Sequence, residues 1–204
     1  MIYSIFKTSL LSIWPSLVII MVSIVCIRFA YLRNRRESSK FYREFWGLFG
    51  IIYLLLLYQL VTRVDINETG GMNLVPFAEI TRYKFGSRLF YYNVVGNIAM
   101  FIPFGYIIAS YIKPKKMWTN LIIAAIVSVT IEYVQLNIGR SFDIDDIILN
   151  TFGSIIGFLL YIGFTAILRH LPSVFKSDWL NNLICIIIAA LVAFYVLRMM
   201  GIVL

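Results

Sequence analysis

The sequence predicts an all-α bundle of transmembrane helices, with about six spans and both termini outside the cell. Of its 204 residues, 61% are hydrophobic and only 14% are charged, whereas soluble domains carry roughly 25% charged residues. The mean hydropathy is +0.87, and apolar stretches of about 20 residues, long enough to cross a bilayer, recur along the chain. These observations exclude a soluble globular protein. They predict one integral membrane domain over residues 1–204.

Six segments have roughly the 17 to 25 residues that a transmembrane helix needs. The first could be a cleaved signal, but its strongest basic cluster follows the apolar run, which is the reverse of a secretory signal. We therefore interpret it as a span. The six predicted spans are Leu10 to Tyr31, Phe45 to Val61, Asn93 to Ile112, Met117 to Leu136, Asp146 to Leu168, and Leu180 to Met200.

The charge distribution predicts the orientation of these spans. The chain has 18 Lys+Arg and 10 Asp+Glu, a net charge of +8. Basic clusters at residues 33–43 and 113–116 lie in loops that are expected to face the cytoplasm. Topology thus explains the basic excess, and nucleic acid is not expected as a partner. The longest hydrophilic segment, residues 62–92, is then outside and can lie along the membrane surface.

Metal and disulfide chemistry receive little support from the residue counts. The two cysteines, Cys26 and Cys185, lie in apolar segments, and His170 is the only histidine. A disulfide scaffold and a classical zinc site are therefore excluded. Carboxylates could hold a divalent cation through oxygen ligands, but no spacing in the sequence specifies one. The sequence therefore specifies no cofactor.

Polar side chains in three spans converge at one outer level of the predicted bundle. Glu132 and Gln135 lie three residues apart, and Asn93 and Asn97 four apart, so each pair shares a helix face. At 1.5 Å per residue, Glu132 lies on the order of 7 Å inside the outer end of its helix. Polar residues inside a membrane are costly and usually functional. The candidate site comprises Asn97, Glu132, Gln135, Arg140, Asp143, Asp146 and Asn150.

Several of these residues also have structural interpretations. Asp143, Asp145 and Asp146 stand where helix caps and first-turn acids belong. Glu132 could be an ion-paired structural group. Pro103 removes a helical hydrogen bond to the carbonyl of Ala99. Small residues separated by three others favour close helix packing, which assigns a structural role to Pro103, Gly105, Gly153 and Gly157.

Four motifs in this order resemble the VanZ-like family of bacterial membrane proteins. They are Asn73-Leu-Val-Pro76-Phe77, Asn97-Ile-Ala-Met-Phe101-Ile-Pro103-Phe-Gly105, Glu132-Tyr-Val-Gln135, and Arg140-Ser-Phe-Asp143-Ile-Asp-Asp146 continuing to Asn150 and Gly153. The motif core covers residues 73–157. The resemblance implies a role in the cell envelope and in resistance to lipid-bearing glycopeptides such as teicoplanin. It implies no reaction chemistry.

The leading functional hypothesis is an outward-facing polar pocket that binds an amphiphile, because Arg140 offers donors for a phosphate or carboxylate while apolar helices hold an acyl chain. Membrane lipids, a lipoglycopeptide or a cell-wall precursor are the expected partners. The predicted ligand-binding residues are Asn73, Pro76, Phe77, Asn97, Phe101, Gln135, Arg140 and Asn150.

Three alternatives remain open. A membrane-embedded enzyme of envelope lipid or cell-wall precursor metabolism would use Glu132, Asp143 and Asp146 as catalytic groups. A proton-linked transporter would use Glu132 as its switch, although the inner half of the predicted bundle shows no matching line of polar residues. A structural partner in an envelope complex would use the polar cluster only to lock its helices together.

Overall fold

The computed structural model describes residues 2–35, 40–62, 70–114 and 116–199. The fold is all-α, as the hydropathy pattern predicts. Two strands of two residues each interrupt the helices. In chain order the elements are α1 (Ile2–Arg35), α2 (Phe41–Val61), β1 (Met72–Asn73), α3 (Ala78–Arg82), α4 (Arg88–Phe90), a π-helical turn (Tyr91–Val95), α5 (Gly96–Ile112), α6 (Met117–Asn137), β2 (Phe142–Asp143), α7 (Ile144–His170), a 3₁₀ turn (Ser173–Lys176) and α8 (Asp178–Met199).

Four of the described helical stretches are long and apolar enough to cross a membrane: Phe41–Val61, Arg88–Ile112, Met117–Asn137 and Ile144–His170. They match four of the predicted spans to within a few residues. Asp178–Phe194 is a shorter apolar helical stretch. The count of six spans and the placement of the termini stay predictions.

The described contacts group the chain into two compact units. One contains residues 1–56 and 167–204, and the other contains residues 57–166. The motif core at 73–157 lies within the second unit, which also holds all of the candidate site residues. That the whole chain forms a single integral membrane domain stays a prediction.

Within the second unit, α5 and α7 pack backbone against backbone. A Cβ atom added at Gly153 would lie 2.2 Å from the carbonyl oxygen of Ile98, and one at Gly157 would lie 2.1 Å from that of Ile102. A Cβ at Gly105 would lie 2.1 Å from the carbonyl oxygen of Ser154. Such an approach requires glycine, since any side chain would separate the helices. The glycines thereby bring the first turns of α7 close to α5.

Candidate functional site

The candidate site is a cavity of about 200 Å³ within the unit of residues 57–166. It lies where α5 and α7 begin, and α3 and the connection between α6 and α7 complete its wall. Its lining is mostly charged and polar: Glu79, Ile80, Arg82, Tyr83, Asn93, Val94, Arg140, Ser141, Asp143, Asp145, Asp146 and Leu149. Most pockets for small molecules are larger, about 300 to 1,000 Å³, and are lined mainly by apolar groups. A small polar group therefore suits this cavity.

A parallel pair of two-residue strands holds one wall of the cavity. Met72 pairs with Phe142, and Asn73 pairs with Asp143. The side chain of Asn73 also donates to Asp143 Oδ1 at 3.1 Å, and the same oxygen accepts the backbone N–H of Asp145 at 2.8 Å. Asn73 therefore positions Asp143, which lines the cavity, without lining the cavity itself.

Asp145 clamps the segment that follows β1. It is fully buried, and its carboxylate accepts the backbone N–H groups of Phe77 at 2.5 Å, Glu79 at 2.7 Å and Ile80 at 3.2 Å. These are orphan donors at the start of α3, whose Phe77 adopts a left-handed conformation with φ of 66°. Asp145 therefore caps α3, whereas the sequence analysis considered it as a cap of its own helix.

The π-helical turn at Tyr91–Val95 brings two asparagines to the same side of the Arg88–Ile112 helix. Asn93 lies in this turn and lines the cavity. One turn later, the side-chain amide of Asn97 donates to Asp146 Oδ1. Asp146 lines the cavity as well, so Asn97 acts as a positioning residue for it. Single π-helical turns of this kind occur frequently at functional sites.

Glu132 is buried behind the cavity. Its side chain is only 1% exposed, and Oε2 accepts the backbone N–H of Asp143 at 2.9 Å. It does not belong to the cavity lining. Glu132 therefore holds the α6–α7 connection in place, which is a different geometry from that of a carboxylate presented to a substrate.

Arg140 and Gln135 meet at the end of α2. Gln135 Nε2 donates to the carbonyl oxygen of Val61 at 2.9 Å, and Arg140 Nη1 donates to the same oxygen at 3.2 Å. Val61 is the last residue of α2, where carbonyl groups lack helical partners and cations are favoured. Arg140 also lines the cavity, whereas Gln135 does not.

The charges that line the cavity are dominated by carboxylates. Four carboxylates, those of Glu79 and of the three aspartates, face two guanidiniums, those of Arg82 and Arg140. Arg82 Nη1 pairs with Glu79 Oε1 at 2.7 Å. Burial raises the pKa of Asp143 above its ordinary value. Because carboxylates outnumber guanidiniums in the lining, the cavity favours a ligand that brings positive charge.

Tyr83 is a hydrogen-bond donor in this wall over a wide pH range. Its hydroxyl donates to Glu79 Oε2 at 2.8 Å, and partial burial together with this bond raises the pKa of Tyr83 to about 12. Because the raised pKa lies above the ordinary value of about 10, the neutral form persists as pH rises and is lost only as pH approaches the higher value.

We therefore expect the tyrosinate absorbance that belongs to Tyr83 to emerge near pH 12. The measurement is the difference between spectrophotometric titrations of the wild type and Tyr83→Phe. A difference that emerges near the ordinary tyrosine pKa would contradict the partial burial of Tyr83 and its hydrogen bond to Glu79.

The structure brings only some of the predicted site residues to the cavity. Asp143, Asp146 and Arg140 line it. The other predicted residues lie outside its lining, some exposed and some buried. Pro76 and Phe77 are exposed on the segment before α3, while Phe101 is fully buried with its ring 5.2 Å from that of Phe104. Pro103 lies inside α5.

Buried polar residues continue along the α6–α7 interface, where the sequence analysis expected no such line. Asn150 donates to Ser128 Oγ at 2.9 Å, and Asn120 donates to Ser154 Oγ at 3.0 Å. All four are at most 4% exposed. The sequence analysis noted no matching line of polar residues in the inner half of the predicted bundle, and it did not single out Asn120, Ser128 or Ser154. Hydrogen bonds across helices of this kind stabilise helix association in membranes.

Sequence reasoning missed Glu79, Arg82 and Tyr83 as lining residues and considered Asn93 only as part of a polar helix face. All four lie in or beside the predicted hydrophilic segment, where nothing marks them individually. Arg82 and Tyr83 follow Glu79 by three and four residues, a spacing that places the three on one helical face. This spacing is the signal that could have identified them as lining residues. No group of three or more His, Cys, Asp or Glu side chains among the described residues is arranged to hold a metal ion.

Comparison with known proteins assigns the chain to a family. The family model described as VanZ/LLP1 matches residues 45–169, which include the whole cavity. The chain is 26% identical over 124 residues to Protein VanZ of Enterococcus faecium, an alignment that covers 56% of this chain and 71% of that protein. No solved structure shows a significant match. On the extent of the family match, the chain is a VanZ-like membrane protein and belongs to the VanZ/LLP1 family.

Proposed function

We propose that this protein binds the headgroup of a cell-envelope amphiphile in an outward-facing cavity, and that this binding contributes to resistance to lipoglycopeptides such as teicoplanin. The observation that carries the proposal is the polar cavity of about 200 Å³ set at the ends of apolar helices. Its volume suits a headgroup and not an entire amphiphile. An acyl chain would remain in the bilayer, beside the apolar surfaces of the helices.

The lining indicates the chemistry of the headgroup. Asp145 uses its carboxylate to bind backbone N–H groups, and Glu79 pairs with Arg82. Asp143 and Asp146 each accept a hydrogen bond from an asparagine through one carboxylate oxygen and add negative charge to the lining. Arg140, which donates to the carbonyl oxygen of Val61, adds positive charge. A headgroup that carries an ammonium group beside a phosphate or carboxylate meets complementary partners there. Such charge-assisted contacts give orientation as well as affinity.

Enzymatic function is the second candidate, supported by the adjacent Asp143 and Asp146 on the cavity wall. Glu132 fits this candidate less well than expected, because its carboxylate accepts a backbone N–H and lies outside the lining. Envelope lipid turnover that requires Asp146 would favour catalysis over binding. Turnover that survives both Asp146→Asn and chelation would count against catalysis.

The proposed function is tested by antibiotic susceptibility in one bacterial host. The strains carry the empty vector, the wild type, Asp146→Asn or Arg140→Ala, and membrane abundance is measured for each. Asp178→Asn is the matched control, since this exposed carboxylate lies outside the cavity and pairs with Lys40. We expect the wild type and the control to protect against teicoplanin more than against vancomycin.

We expect the protection against teicoplanin given by Asp146→Asn and Arg140→Ala to fall to that of the empty vector, while their membrane abundance stays unchanged. Asp146→Asn keeps an oxygen that can accept from Asn97, so it removes charge with little change of shape. Full protection by well-expressed cavity variants would exclude a role for the cavity in resistance.

A further inference from the structure

Large apolar side chains are exposed on the segment from β1 to the start of α4, outside the helices that are long enough to cross a membrane. Phe85 is 84% exposed. Four others are more than half exposed: Met72, Leu74, Val75 and Phe77. None of the five belongs to a candidate spanning helix. Contact with lipid along a span therefore does not account for their exposure.

The exposure does not arise from a loosely held backbone. Asp145 accepts three N–H groups from the start of α3, and Phe142 N–H donates to the carbonyl oxygen of Gly71 at 2.9 Å. These bonds fix the segment against the α6–α7 connection. The apolar side chains named above are thus presented by a fixed part of the fold.

Basic side chains accompany the apolar ones. Arg82, Lys84 and Arg88 are exposed, and the acidic residue of this stretch, Glu79, is paired with Arg82. The segment leads directly into the Arg88–Ile112 helix. It therefore lies at the level where a spanning helix meets lipid headgroups. Aromatic, aliphatic and basic residues together are typical of segments that lie in the membrane interface and bind anionic lipid.

We propose that residues 72–92, which we term the interfacial segment, insert their exposed apolar side chains into the adjacent leaflet while Lys84 and Arg88 contact the phosphates of anionic phospholipids. The interfacial segment also contributes Glu79 and Tyr83 to the cavity wall. Insertion places the cavity at headgroup level, so that an amphiphile enters it without leaving the leaflet. This route of entry rests on the proposed function, whereas insertion itself does not.

Insertion is tested with the full chain in lipid nanodiscs. An environment-sensitive fluorescent amino acid replaces Phe85, whose exposure makes a loss of folding unexpected, and circular dichroism verifies the helical content. The same label at Tyr133, 63% exposed on α6, is the reference for contact with lipid. We expect lipids brominated on their acyl chains to quench the label at Phe85 at least half as strongly as at Tyr133. Quenching by aqueous iodide, with none by the brominated lipids, would overturn insertion.

The preference for anionic lipid is tested in the same samples. Nanodiscs of phosphatidylcholine are compared with nanodiscs that also contain phosphatidylglycerol. We expect phosphatidylglycerol to increase bromolipid quenching at Phe85, and Lys84→Gln/Arg88→Gln to remove the increase. Lys113→Gln/Lys116→Gln is the matched control, because it removes the same charge beyond the other end of α5. Equal quenching at Phe85 in both lipid compositions would overturn the proposed contact with anionic phospholipids. Failure of amphiphile binding in the cavity would leave these readouts unchanged.

Discussion

Gly153→Ala and Gly157→Ala should each strongly destabilise the unit of residues 57–166. The added Cβ atoms would lie 2.2 Å and 2.1 Å from backbone carbonyl oxygens of α5. A rotamer change cannot relieve a collision between a Cβ and a backbone, so α5 and α7 must separate. Overpacking typically costs 1–3 kcal/mol, and we expect about 3 kcal/mol here because the backbone must move.

Thermal unfolding of the purified protein in detergent measures this loss, with membrane abundance as a second readout. Gly163→Ala is the matched control, because Gly163 lies in the same helix and nothing lies within 4 Å of its added Cβ. That variant should be neutral or gain up to about 1 kcal/mol from helix propensity. Equal unfolding temperatures for all three variants would contradict the close packing of α5 and α7.

Asp145→Ala should release the start of α3 from the rest of its unit. Three backbone N–H groups lose a charged acceptor at distances of 2.5 to 3.2 Å. Leaving a buried donor unpaired costs roughly 1–3 kcal/mol, so we expect a total loss of about 3 kcal/mol even after water reaches some of these donors. Asp145→Asn, which keeps one acceptor oxygen, should lose less.

Hydrogen exchange locates the effect of Asp145→Ala. The amides of Phe77, Glu79 and Ile80 should exchange roughly a hundredfold faster, which corresponds to about 3 kcal/mol. Asp178→Ala is the control, as its carboxylate is half-exposed and makes a surface ion pair with Lys40. Unchanged exchange at the three amides in Asp145→Ala would show that this clamp does not hold the segment.

The helices follow from hydropathy because spanning a membrane imposes both length and apolarity. Met117–Asn137, for example, differs from its predicted bounds by one residue. The strand pair could not be predicted in this way. Two-residue strands carry no periodicity, and the pairing of Asn73 with Asp143 joins positions that are 70 residues apart. A pairing between positions so far apart in the sequence depends on the packing of α5, α6 and α7.

The candidate site was predictable in its location more than in the roles of its residues. Helical spacing predicted that Asn97 and Asp146 face the same level of the bundle, and their side chains are hydrogen-bonded. The other predicted site residues differ in how deeply they are buried. Gln135 and Asn150 point into helix interfaces, where their amides pair with Val61 and Ser128. Spacing along one helix defines a face, but it cannot distinguish a face towards a cavity from one towards a neighbouring helix.

Binding of phosphatidylethanolamine to the purified protein most directly tests whether the cavity holds the headgroup of an amphiphile, because this headgroup carries an ammonium group beside a phosphate. Native mass spectrometry compares the wild type with Asp146→Asn, and phosphatidylglycerol, which lacks the ammonium group, is the control lipid. We expect the wild type to bind phosphatidylethanolamine at least about tenfold more tightly than Asp146→Asn, the equivalent of one lost charge-assisted hydrogen bond. Equal affinity of the folded wild type and Asp146→Asn for phosphatidylethanolamine would contradict binding in this cavity.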